Sequence, residues 1–390
     1  MNKIAIITTH PIQYYAPWFR YLAQEKDFLI KVFYLWDFGI TQQVDQGFKQ
    51  SIQWDIPLLS GYNYEFVPNQ SSKPGTHHFW GFQNPSLVSV VENFQPQSVL
   101  LMCYNYASIY NFIWRWNTRK VPLIFRGDSH RILPRTGTKQ WMRRQFISLI
   151  YSQFSACLYV GKANYNYYTY HGVLSKNMFF SPHAVDNNRF FSQTEEAMKQ
   201  AKIWKQELKI PENHAVILFA GKFESKKRPL DLLQAFIQSN LPKVSLLFVG
   251  AGSLENELRS QATNHSSIYF APFQNQSQMP RTYAIADLVV LPSYGAWETW
   301  GLVINEAMCL SRAVIASDHV GCAQDLIHSN QNGLVFPAGN ISALVNCLQK
   351  AFLDLKKLKQ WGEESRNIIT SYSYVQATQG LRSAINHLNT

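Results

Sequence analysis

The sequence predicts an α/β protein built as two doubly wound, Rossmann-like domains facing a central cleft. Three observations carry that expectation. At 390 residues the chain is too long for one compact core. Short apolar, β-branched runs alternate with segments of helical period, the pattern of parallel sheets covered by helices on both faces. The alternation pauses near residues 179–184, passes through a polar stretch at 193–213, and starts again.

In the first half, residues 3–9 (KIAIITT) form the opening strand, and the spacing of Trp18, Phe19, Leu22 and Ala23 forms a helix after Pro11. Further strands are expected at 28–35, 98–102, 122–125 and 156–160, with a helix at 85–94. The charge-rich segment 193–213 (QTEEAMKQAKIWKQELKIPEN) reads as a connector, so domains of 1–192 and 193–374 are expected. A last helix, about 375–390, is expected to pack back on the first domain. In the second half, strands at 215–220, 244–249, 268–271, 288–291 and 313–316 alternate with helices at 229–239, 254–262 and 279–286, then after Gly301, with helices to the end.

Composition narrows the class. With 46% hydrophobic and 16% charged residues the chain can bury large cores and is neither disordered nor fibrous. No apolar run approaches the ~20 residues a bilayer span needs, and the first residues do not read as a secretion signal. Cys103, Cys157, Cys309, Cys322 and Cys347 are scattered, without a Cys-x-x-Cys pair, and read as thiols in a reducing, cytoplasmic setting. The net charge of +11 is uneven: residues 1–192 carry 18 basic against 9 acidic side chains, the remainder 18 against 16. A basic first half suits an anionic membrane surface, a phosphorylated small molecule or nucleic acid. No recognised nucleic-acid module accompanies the charge, so nucleic acid is not expected.

Three strand-to-helix turns carry the chemistry. In 291–310 (LPSYGAWETWGLVINEAMCL) a strand empties into a loop holding Glu298, and a helix begins at Gly301. Without a Cβ, Gly301 leaves the N–H groups of Leu302 and Val303 open to an anion such as a diphosphate. Glu298 can accept from sugar hydroxyls, and Glu306 from the two hydroxyls of a ribose; the plainer alternative makes them a first-turn and a solvated helix residue. In 219–229 (FAGKFESKKRP), Gly221 permits a tight turn among Lys222, Lys226, Lys227 and Arg228, which either neutralise phosphate or form a solvated loop. In 248–255 (FVGAGSLE) only Gly-x-Gly-x-x-Glu is present, so the nicotinamide-dinucleotide signal is weak.

Taken in this order, the three turns resemble the C-terminal half of family 4 glycosyltransferases (glycosyl transferases group 1), retaining enzymes of GT-B fold that use nucleotide-activated sugars. The matching residues are Gly221-Lys222 with Lys227, Val249-Gly250-Ala251-Gly252, and Glu298 through Gly301-Leu302 to Glu306. Weaker echoes are Cys157–Val160, His183-Ala184-Val185-Asp186 and Arg189-Phe190. The resemblance implies that Lys222 and Lys227 hold the donor diphosphate, with Gly221, Gly252, Gly301, Leu302 and Val303 around it. It further implies that Glu298 contacts the transferred sugar, Glu306 the ribose, and the turn at Phe273 the nucleobase. Lys222 stands where the family usually has Arg, keeping the charge but losing a bidentate grip. The first domain would bind the acceptor: a saccharide, a lipid-linked or a phosphorylated molecule.

The first domain departs from the family at Thr9-His10-Pro11, where a Gly-rich loop is usual. His10 either faces the cleft or caps the next helix. Arg126, Asp128 and His130 end another strand, near where the family often places a cleft histidine. No Asp-x-Asp pair occurs and His77-His78 lacks a third ligand, so neither metal nor cofactor beyond the nucleotide-sugar co-substrate is expected. Residues 115–144 hold nine basic side chains, Arg135 among them, against Asp128 alone, interleaved with Trp114, Trp116 and Trp141; they suit an anionic membrane's inner face or an acceptor phosphate, the plainer alternative being the solvated face of an ordinary helix. The function implied is metal-independent, retaining sugar transfer. The alternatives are another GT-B reaction, epimerase or phosphorylase, and an inactive sugar-nucleotide binder.

Overall fold

A computed structural model describes residues 1–38, 40, 43–45, 50–134 and 136–389, with backbone only for 43–45 and 50–52. Seven strands form the first sheet: β1 (Asn2–Thr8), β2 (Phe28–Tyr34), β3 (Asn63–Phe66), β4 (Ser98–Leu101), β5 (Leu123–Arg126), β6 (Ala156–Tyr159) and β7 (Met178–Phe180). Six form the second: β8 (Ala215–Ala220), β9 (Val244–Val249), β10 (Ile268–Ala271), β11 (Leu288–Leu291), β12 (Ala313–Ser317) and β13 (Gly333–Phe336). Within each sheet all pairings are parallel, in the orders β3-β2-β1-β4-β5-β6-β7 and β10-β9-β8-β11-β12-β13. Both are doubly wound, and in each the order reverses beside the first strand, where ligands of such sheets sit.

Central strands such as β4 (SVLL) and β11 (LVVL) are buried along their whole length. Helices therefore cover both faces, as parallel sheets require. Those used below are α1 (Ala16–Gln24), α2 (Ala107–Trp116), α3 (Thr138–Tyr151), α4 (Thr194–Glu207), α5 (Met279–Ala284), α6 (Leu302–Cys309) and α7 (Tyr374–Asn389). No described helix is long and apolar enough to cross a membrane.

The structure differs from the sequence reading in four places. Residues 193–213 are not a plain connector: α4 buries Ala197, Ala201 and Trp204 against α5. The pause near 179–184 contains strand β7, and β3 and β13 are strands that sequence reading missed. Val185 and Phe190, ahead of residue 193, pack in the same cluster as the second sheet, as does Val160 from the first lobe. The chain then crosses back: α7 packs on β6, β7 and α1, placing Ala377, Leu381, Ala384 and Ile385 in the first lobe's core. Gly380 makes that possible, since a Cβ there would lie 2.0 Å from the Phe180 carbonyl oxygen.

Several contacts join the lobes. Thr299 donates to Asp128 at 2.7 Å, the Lys162 amide donates to both Asp325 oxygens at 3.1 Å, and the Ser277 amide donates to Asp55 at 3.0 Å.

Candidate active site

The second lobe's loops are held by backbone packing. Gly250 has φ +145° and a Cβ there would sit 2.0 Å from the Gly221 carbonyl oxygen; Gly252 would meet the Phe223 oxygen at 2.6 Å. The Phe223 amide donates to the Ala251 oxygen at 2.9 Å, stitching the two turns together. The role visible for Gly252 is therefore to admit the neighbouring loop rather than to open a face to a ligand. That stitching sets Lys222 and Lys227 at the exit of β8.

Glu298 lies in the loop before α6, not within the helix. Its carboxylate pairs with the Lys227 ammonium and accepts from the Ser293 hydroxyl at 2.8 Å. Gly301 caps α6 with φ +101°, and a side chain there would press within 2.9 Å of Leu291 and Val320. The amides of Leu302 and Val303 open the helix, where no preceding turn supplies acceptors. A lysine, a carboxylate and a helix N-terminus thus converge on one loop.

Glu306 is not solvated. It is 1% exposed, one turn into α6, and accepts from the Tyr283 hydroxyl at 2.6 Å. Its other carboxylate oxygen has no hydrogen-bond partner among the described residues. Burial pushes its pKa up to about 7, against the opposing pull of the Tyr283 hydroxyl, the Arg189 charge and the Tyr14 hydroxyl. It borders an interlobe hollow that Tyr14, Asp186, Arg189 and Gln276 also line. Arg189 donates twice to Gln276, through its carbonyl and its side-chain oxygen, both at 3.0 Å. The lining of this hollow does not include Glu298 or Lys227, so the two glutamates serve different parts of the cleft.

From the first lobe, His130 reaches the second: its ring lies against the Glu298 main chain, and its Nε2 is buried with no hydrogen-bond partner among the described residues. Burial lowers its pKa, keeping it a neutral imidazole. His10 instead sits in an aromatic nest, edge-on to Trp36 and Phe38 at 6.0 and 5.3 Å, with Nδ1 3.0 Å from the Thr9 hydroxyl. Burial lowers it to about 4. It does not cap α1, whose N-terminus has no side-chain cap. Phe273 approaches Trp54 of the first lobe at 6.4 Å.

Arg126 turns out to be structural. It is 3% exposed, donates to the carbonyls of Ser181 and Pro182, and stacks over Trp18. Asp128 beside it is half-buried. Burial alone would raise its pKa, but hydrogen bonds from His183 and Thr299 and the Arg126 charge outweigh that and hold it at about 2. His183, 3.4 Å from Asp128 and stacked on Tyr15, is kept neutral by burial. Arg135 lies outside the described residues. Sequence reading missed Tyr14, Tyr283, Gln276 and Ser293 altogether. Asp186 and Arg189 were visible in it only as part of a resemblance.

Comparison with known proteins agrees with this geometry. Residues 200–368 match the family described as Glycosyl transferases group 1, a segment that contains Lys222, Lys227, Glu298, Gly301 and Glu306. The chain is 26% identical over 205 residues to lipopolysaccharide 1,2-N-acetylglucosaminetransferase of Salmonella typhimurium, covering 49% of this chain and 53% of that protein. It is 29% identical over 152 residues to O-antigen chain mannosyltransferase C of Escherichia coli, covering 38% and 40%. The matches thus span about half the length of these relatives or less. Among solved structures, Anabaena HepE in complex with UDP superposes with a TM-score of 0.75 at 18% identity, covering 99% of this chain and all of that one. Sucrose-phosphate synthase from Thermosynechococcus elongatus gives 0.71 at 17%, covering 100% and 99%. The fold is that of the GT-B glycosyltransferases.

Proposed function

We propose that this protein is a glycosyltransferase that moves a sugar from a nucleotide-sugar donor to an acceptor hydroxyl, with retention of anomeric configuration and without a metal ion. The observation that carries the reading is the Lys227–Glu298 pair set ahead of the Gly301 helix start, with Glu306 eight residues on in the interlobe hollow. Cleavage of the anomeric C–O bond leaves charge on the diphosphate. Lys222, Lys227 and the first amides of α6 are the groups that stabilise it, which is why no cation is invoked. Glu298 orients the transferred sugar, and His130 approaches from the other lobe. Glu306, with one free oxygen, accepts from the ribose. The acceptor oxygen attacks the face from which the diphosphate departs; its proton goes to the leaving phosphate oxygen, and nucleoside diphosphate is released.

The relatives that act on lipopolysaccharide and O-antigen chains support a saccharide or lipid-linked acceptor, and we place the work at the cytoplasmic side of a membrane. HepE's bound UDP makes UDP-sugars the first donors to try. The test is a panel of nucleotide sugars screened by mass spectrometry for donor turnover, with product configuration read by NMR and each reaction repeated in chelator. Absence of turnover, together with no calorimetric binding of UDP, GDP or ADP, would overturn the reading. An inverted product or loss of activity in chelator would overturn retention or metal independence separately.

A further inference from the structure

We infer that the flank of the first lobe formed by α2, α3 and residues 79–80 docks on an anionic lipid surface. The inference extends the acceptor side of the proposed reaction, but its evidence and its test are independent of sugar transfer.

Helix α3 is only half used by the fold. Ile147, Ile150 and Tyr151 are its buried residues. At about 100° per residue, Trp141, Met142, Phe146 and Leu149 fall within an arc of about 140° on the other side. All four are at least half exposed, Trp141 at 62%. Their surface continues across the lobe: Phe146 meets the Tyr110 ring at 5.7 Å, Tyr110 meets Phe79 at 5.4 Å, and Phe79 meets Trp80 at 5.0 Å. Trp80 is 61% exposed. Monomeric proteins seldom leave such a contiguous apolar strip to water, so something covers it.

Charge identifies the occupant. From residue 66 to residue 185 the sequence has 12 basic side chains, the buried Arg126 among them, and two acids, Glu92 and Asp128. Glu92 is paired with Arg119, and Asp128 is engaged in the cleft by Thr299 and His183. On α3 itself Lys139 and Arg143 are exposed beside the apolar arc. An exposed aromatic face rimmed by cations matches a bilayer interface, where Trp rings sit at headgroup depth and cations meet anionic lipid. A second copy of this chain would bring the same cations against one another. In sequence, the start of α3 follows Asp128 by ten residues and His130 by eight.

Vesicle flotation of the full chain tests this, using phosphatidylcholine vesicles and vesicles that also contain phosphatidylglycerol, at low and high salt. The expected result is salt-sensitive flotation with the anionic vesicles only. A Trp141→Ser/Phe146→Ser variant and a Lys139→Glu/Arg143→Glu variant should each lose about tenfold or more in partition, with circular dichroism unchanged. No flotation of the unmodified protein overturns the inference, as does equal flotation of the Trp141→Ser/Phe146→Ser variant. A concentration-dependent dimer abolished by that variant would assign the face to a second copy and overturn it too. None of these outcomes depends on whether a sugar is transferred.

Discussion

Thr299 donates its hydroxyl proton to Asp128 across the cleft at 2.7 Å, one residue from Glu298 on one lobe and two from His130 on the other. The contact ties together the two loops that carry the proposed chemistry. Removing it by Thr299→Val should favour the open form by roughly 1.5–3 kcal/mol, the range for a hydrogen bond to a charged group. Small-angle scattering would register a larger radius of gyration; an unchanged profile would count against the strut.

Lys227 and Glu298 form a largely shielded ion pair, with side chains 20% and 14% exposed. Lys227→Ala should therefore lower turnover about 100-fold or more, the usual cost of losing one group that stabilises developing charge. It should also destabilise the fold by about 1–3 kcal/mol, because Glu298 is left with only Ser293. Full activity in both Lys227→Ala and Glu298→Ala would remove these residues from the site.

The raised pKa of Glu306 has a definite sign in a stability profile. With a folded value of about 7 against an ordinary 4.5, the folded chain keeps a proton that the unfolded chain releases between those values. This group's contribution is complete below 4.5 and is lost as the pH rises to about 7. About 3 kcal/mol is at stake. Buried neutral histidines such as His10 gain stability over the same window, so the readout is the difference: the urea midpoint of the native sequence minus that of Glu306→Gln should fall as the pH rises from 4.5 to 7. If the ionised carboxylate accepts ribose hydroxyls, nucleoside diphosphate affinity should climb with pH over the same window, and less so in the variant.

Gly301 combines φ +101° with close neighbours at Leu291 and Val320. Gly301→Ala should cost at least about 1–3 kcal/mol and tilt the first amides of α6. Thermal melting and UDP calorimetry would both report it, and a variant that melts and binds like the parent would show the loop to be tolerant.

Short-range pattern made the framework legible. Strands such as 215–220 and 244–249 are apolar and β-branched, and each ends at a glycine turn, so their places and the loops that follow could be read directly. The segment 193–213 was misread because its charges hide the helical spacing of Ala197, Ala201 and Trp204, which the structure buries. The site was legible only where its residues are neighbours in sequence. Glu306 meets Tyr283 and Asp128 meets Thr299 across 23 and 171 positions, and no local pattern encodes such meetings. His10, at the exit of β1, packs edge-on against Trp36 and Phe38, a contact across 26 and 28 positions that no local pattern shows either.

The return of α7 to the first lobe bears on biogenesis. Trp18 donates to Thr378 at 3.1 Å, and four α7 side chains fill a core otherwise built from residues before 160. On the ribosome, the half translated first must wait for residues 374–389 before its apolar underside is sealed, whereas the second half has its own strands by residue 336. The earliest part to be synthesised thus stays incomplete until the last helix emerges, and a nascent chain stalled before α7 would be a natural client for chaperones.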